Sequence, residues 1–187
     1  MKLNVGISNR HVHLNEEEYN KLFGDAEFTK AKDLTQPGQF ASTLKVTLKT
    51  EKGEIENVRV LGPLRKYNQV EISKTDAFKL GLNPPVRNSG DLKGSENIIL
   101  VAGENEVAVN ECCIIPARHI HITEEQMKEF GFEGKETVRV KVGGEKGGIL
   151  DNVYLKAASD SYFELHLDTD DGNAFLIKQG DEVEIID

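Results

Sequence analysis

Four of the five histidines in the 187-residue chain fall in two matching segments, Arg10-His11-Val12-His13-Leu14 and Arg118-His119-Ile120-His121-Ile122. The second copy stands 108 residues after the first. An alternating segment rich in Val and Ile reads as a strand, where residues i and i+2 share a face. Each pair therefore presents two imidazoles side by side, about 7 Å apart along the backbone. The repeat extends well past the histidines. Asn57-Val58 returns as Asn152-Val153, an offset of 95, and at that offset Val70-Glu71-Ile72 falls on Leu165-His166-Leu167. Glu71 is thus the counterpart of His166, the fifth histidine. Two triads result: His11, His13 and Glu71, and His119, His121 and His166. Two His plus a third His or carboxylate is the ligand set of a catalytic zinc that keeps one position open. Two zinc ions per chain are expected. The Glu71 set is the more anionic, so the two sites are expected to differ in charge.

Plainer roles compete at each position. A single His-x-His is often a surface or hydrogen-bonded pair, but two copies with third ligands at matching offsets argue against that. A closed structural zinc site takes four protein ligands, commonly cysteines. Cys112 and Cys113 are adjacent and lack Cys-x-x-Cys spacing, so they read as buried strand residues. Glu17 and Glu18, downstream of His13, resemble part of a cupin motif. Both follow Asn15, a helix-capping residue, and fit first-turn acids better. Arg65, in Gly62-Pro63-Leu64-Arg65, lies six residues before Glu71 and suits bidentate recognition of phosphate or carboxylate. Arg87 and Ser89 offer a further guanidinium and hydroxyl as substrate-binding candidates. For Arg65, Arg87 and Ser89 a surface loop position is the plainer role. Arg10 and Arg118 alternate away from the histidines and are expected to pair with acids. A two-metal hydrolase, a cupin-like metal enzyme and a metal-dependent binding protein remain the alternative functional classes.

The elements that position these residues are mostly strands. Leu3 to Leu14 reads as one strand carrying the first His pair. Asn15 with Glu18, and Thr123 with Gln126, then start helices as capping pairs. Leu44–Thr50 and Ile55–Leu61 form a hairpin, matched by Val138–Val142 and Ile149–Leu155. Asp76-Ala77-Phe78 and Asn173-Ala174-Phe175 match at an offset of 97, each expected to open a short helix. Ile98–Ala102 and Glu106–Ile115 are further strands leading into the second His pair. The fold class is therefore mainly β: β-barrel architecture capped by short α-helices, with internal duplication. A net charge of −9 argues against nucleic acid and anionic membranes as partners. No apolar run approaches the ~20 residues of a membrane span. Strand sequence beginning at Leu3 leaves no room for a signal peptide, and the two cysteines fit a reducing cytoplasm.

Several runs together are similar to the PduL-type phosphotransacylases, the phosphate propanoyltransferases. They are Ser8 to Leu14, Leu34-Thr35-Gln36-Pro37-Gly38-Gln39-Phe40, Gly62 to Arg65, Gln69 to Ser73, Pro85 to Leu92, Ala117 to His121, and His166-Leu167-Asp168-Thr169-Asp170. The resemblance covers nearly the whole chain in order. It implies transfer of a short acyl group, acetyl or propanoyl, between coenzyme A and inorganic phosphate, which would be the partners of this chain. It implies one zinc on His11, His13 and Glu71, another on His119, His121 and His166, and Arg65 on phosphate. The thiol side would fall to the Glu71 set, the carbonyl or phosphate to the three-His set. The reaction would be a direct displacement by phosphate, without an acyl-enzyme. Two β-barrels are expected: residues 1–24 with 117–187, and residues 25–116, so that both His-x-His strands share one barrel. Members entering bacterial microcompartments carry an extension ahead of the first strand; its lack here points to a free cytoplasmic form. A homodimer is compatible with the resemblance.

Overall fold

A computed structural model describes residues 1–187. In chain order the elements are β1 Lys2–Ser8, β2 His11–His13, α1 Glu16–Phe23, β3 Lys30–Asp33, β4 Phe40–Lys49, β5 Glu54–Gly62, β6 Gln69–Glu71 and α2 Lys74–Leu80. There follow β7 Val86–Arg87, β8 Glu96–Ala102, β9 Asn105–Pro116, β10 His119–Thr123 and α3 Glu124–Glu129. The chain ends with β11 Thr137–Val142, β12 Gly148–Ala158, β13 Glu164–Asp168, α4 Thr169–Phe175 and β14 Glu182–Ile185. No helix is long and apolar enough to cross a membrane.

The strands close into two six-stranded barrels, each in its own compact unit. One unit comprises residues 1–9 and 117–187, with strands in the order β1-β13-β10-β12-β11-β14. β14 pairs back onto β1 to complete the ring. Its interior is filled by alternate residues of these strands, among them Val5, Ile120, Ile122, Val140, Leu150, Val153 and Leu165, all fully buried or nearly so. The other unit comprises residues 10–116. Its ring runs β4-β5-β2-β6-β9-β8, closed by β8 pairing β4. Val12, Leu14, Val58, Val60, Val70, Ile72 and Cys113 occupy the corresponding interior positions. Burying a Val, Leu or Ile side chain contributes about 1.5–3 kcal/mol, so the strict alternation of these strands fixes which face turns inward.

Corresponding strands pair alike. β10 runs parallel to β12 and antiparallel to β13; β2 runs parallel to β5 and antiparallel to β6. β1 is parallel to β13 and β9 is parallel to β6. Each copy of the repeat therefore begins with a strand that closes the other copy's barrel: β1 joins β13 and β14, and β9 joins β6 and β8. This corrects the expected boundary. Residues 10–24 belong with the central segment, and the two His-x-His strands lie in different barrels. The stretch expected as one strand breaks at Asn9-Arg10, after Ser8 has paired with Asp168 and before His11 pairs with Arg59 and Glu71. The second crossing falls at the equivalent place, between Pro116 and Ala117.

Local details repeat too. Both hairpins carry an Asn at positive φ, Asn57 at 61° and Asn152 at 55°, beside irregular register. Asn tolerates this left-handed conformation better than β-branched residues do. The helices are capped by side-chain oxygens of Asn15, Ser73, Thr123 and Asp168. Thr123 and Gln126 form the full reciprocal capping box. In α1 the Glu18 carboxylate instead accepts from Asn68, whose amide oxygen accepts from the Asn15 N–H. The offset of 97 proves a poor guide: Asn173-Ala174-Phe175 ends α4 rather than opening a helix. The offset of 95 holds, since Arg10 grips Asp76 in α2 and Arg118 grips Asp171 in α4.

Candidate metal centres

Each barrel gathers one of the expected triads on the outer face of its sheet, because the alternate residues fill its interior. In the central unit, His11 and Glu71 are direct cross-strand partners, with His13 two residues along β2. The β-sheet spacing of such pairs, about 4.5–5.5 Å between Cβ atoms, lets their side chains converge. His11 Nε2 and Glu71 Oε2 are 3.4 Å apart, and all three residues are buried. In the other unit, His119 and His166 are the cross-strand partners, with His121 two residues along β10. His119 Nε2 and His121 Nε2 stand 3.2 Å apart. His119 Nδ1 donates to the carbonyl of Ala117, 2.9 Å away, which leaves the Nε2 lone pair facing the cluster.

Within each triad one donor atom per residue lies within 4.8 Å of the others. Donors at about 2.0–2.2 Å from a tetrahedral zinc are spaced by about 3.3 Å, close to the 3.2 and 3.4 Å separations seen here. Neutral imidazole and carboxylate also suit zinc chemically. The residues present therefore fit a metal ion in each set.

The strand register adds one residue to each face. His13 pairs with Gln69, and His121 pairs with Glu164. Gln69 donates to Glu71 Oε1 at 2.6 Å and to Ser89 Oγ at 2.8 Å, and accepts from the Gly90 N–H. Ser89 also accepts from Arg65 Nη1, 3.2 Å away. A continuous hydrogen-bonded path thus runs from the Arg65 guanidinium through Ser89 and Gln69 to Glu71. Arg65 is half-buried; its backbone N–H is fixed by the Leu14 carbonyl, and its guanidinium also meets the Tyr67 hydroxyl. The turn before it needs Gly62, because a Cβ there would lie 2.1 Å from the Phe40 ring. Arg87 is placed differently. It faces Asp91 at 3.4 Å and donates to the carbonyl of Val86.

Cys112 and Cys113 are buried strand residues of β9, as expected. Both are free, buried in the central unit, and burial pushes the Cys112 thiol up to about 12 and Cys113 upward as well. Neither is a thiolate at neutral pH. Glu17 pairs with Lys21 on helix α1, as a surface acid does, which removes it from a cupin-type ligand set. Gln69 and Glu164 escaped sequence reasoning, although the signal was present: each stands two residues before a third ligand, on the same strand face.

Two duplicated β-barrels, each bearing three side chains that could hold a metal ion, define the class of protein. The family model described as phosphate propanoyltransferase matches residues 4–178. A phosphate propanoyltransferase of Thermotoga maritima is 48% identical over 98% of this chain and 88% of its own length. Those of Rhodopseudomonas palustris and Clostridioides difficile are 41% and 40% identical over 97% and 98% of the chain, covering 80% and 88% of the relatives. The chain belongs to the phosphate propanoyltransferase family.

Proposed function

We propose that this chain interconverts a short-chain acyl-CoA and phosphate with the acyl phosphate and free coenzyme A, with acetyl or propanoyl as the acyl group. Family membership makes it a phosphotransacylase; the two metal sets and the direct route are our reading. The observation that carries it is the recurrence of a three-donor set at equivalent register in both barrels. Zinc held by these sets would supply Lewis acidity to the thioester carbonyl or the departing sulfur.

The residues of the chain then have separate tasks. Arg65 presents a planar fork of donors to phosphate, a shape that recognises tetrahedral oxyanions in bidentate fashion. Ser89 and Gln69 hold that fork relative to Glu71, which supports binding phosphate beside the His11/His13/Glu71 set, in place of the expected assignment of phosphate to the three-His set. Orientation of this kind is a large part of catalysis for two bound reactants. A phosphate oxygen attacks the acyl carbon, the new C–O bond forms, and the C–S bond breaks with its electron pair leaving on sulfur. The buried thiols give no nucleophile for an acyl-enzyme, which favours this single displacement. The same free thiols suit a reducing cytoplasm.

The test is incubation of the purified protein with acetyl-CoA or propanoyl-CoA. Thiol release that requires phosphate and is abolished by a chelator is expected. Release without phosphate would instead make the chain a hydrolase. Ping-pong kinetics would overturn direct attack.

A further inference from the structure

We infer that Glu164 is the anionic partner of the three-His set, a carboxylate that orients His166 and raises its basicity, where the other barrel has Glu71 as a direct ligand. The inference rests on reading the triads as metal sites.

The two site faces align residue by residue. Opposite the first and second histidines stand Glu71 and Gln69 in the central unit, but His166 and Glu164 in the other. Each face therefore holds one carboxylate. It stands opposite the first histidine in the central unit and opposite the second in the other. The two ligand sets still differ by one carboxylate, as expected, but each face carries one acid once this neighbour is included.

Glu164 is placed for that role. It is 3% exposed, and its Oε2 lies 2.8 Å from His166 Nε2. Strand β1 makes room for it with Gly6, the partner of His166. A Cβ at Gly6 would come within 3.0 Å of the Glu164 carboxyl carbon and Oε2, and 3.1 Å of the His166 ring. The corresponding partner of Glu71 is Ile114, a full-sized side chain. The carboxylate and the imidazole beside it thus occupy space that β1 leaves open only in this barrel. A carboxylate touching a ligand imidazole orients the ring and raises its basicity, and losing such a partner typically costs 10–100-fold in metal affinity.

Metal-stripped protein, titrated with zinc against a chromophoric chelator, tests this without reference to turnover. Wild type should bind two equivalents. Glu164→Gln, which gives this face the Gln that the other barrel carries, should keep one site unchanged and weaken the other roughly 10- to 100-fold. Glu71→Gln should weaken one site also, and the double variant both. Gly6→Ala, which crowds the carboxylate without removing it, should weaken the same site as Glu164→Gln. Thermal melts of the metal-free proteins identify any variant that fails to fold. Two tight sites in folded Glu164→Gln would overturn the inference alone. Fewer than two in wild type would overturn the reading of the triads as well.

Discussion

Ser89 accepts hydrogen bonds from both Arg65 and Gln69, so truncating it releases two donors at once. Ser89→Ala should raise the KM for phosphate by roughly 10-fold, in line with the 1–3 kcal/mol lost when a donor is left unsatisfied, with a smaller effect for coenzyme A. Arg65→Ala should act more strongly in the same direction, and Lys should restore little, because a point charge cannot replace the planar fork. Steady-state kinetics with each substrate varied in turn check both. The cysteines offer a separate test by pH. Burial raises both thiols above the ordinary value of 9.0. A raised folded-state pKa contributes stability that is complete below the unfolded value and is lost as pH climbs through the folded one. Stability should therefore fall between pH 9 and about 12, by about 1.4 kcal/mol per pH unit for each thiol. Urea melts at pH 8 and 10.5 should show this, with a shallower loss in Cys112→Ala.

At the scale of elements, the paired clamps Arg10–Asp76 and Arg118–Asp171 tie α2 and α4 to their own barrels. Their geometry is similar, but the acid's side chain is 6% exposed in the first and 22% in the second. Removing the cation from a buried pair leaves an uncompensated charge, whereas solvent relieves an exposed one. Arg10→Ala should cost about 2–3 kcal/mol and Arg118→Ala about 1 kcal/mol or less, measured by chemical denaturation. What could be read of these elements from the chain follows the same logic of locality. Alternation, helix caps and hairpin turns are written within a few residues, and they were legible around His11, Asn15 and Thr123 and in the hairpin of Leu44–Thr50 with Ile55–Leu61. The break at Asn9-Arg10 was not, because neither residue is a Gly or Pro and the break is set by distant partners, Asp168 on one side and Glu71 on the other. Glu164 was one alternation step from His166, yet counting histidines alone passed over it. Arg87 and Ser89 sit two apart in one loop, and only folding sends Ser89 to Arg65 and Arg87 to Asp91.

At the scale of the whole molecule, the duplicated chain exchanges first strands. β1 lies between β13 and β14 in the ring, so without it two barrel edges would be exposed. Deleting residues 1–9 should abolish zinc binding by the three-His set while leaving the His11/His13/Glu71 set, whose strands all lie in residues 10–116. One zinc equivalent per chain is expected in that variant. Two retained would show that β1 is dispensable to the barrel.

We propose that acyl transfer by this chain needs a metal ion in each set. This claim is tested most directly by stripping the protein with a chelator and following phosphate-dependent thiol release from acyl-CoA as zinc is returned. Activity that is absent at the start and reaches its plateau at two zinc equivalents per chain is the predicted result. Full phosphate-dependent activity in the stripped protein, or a plateau at one equivalent, would contradict it.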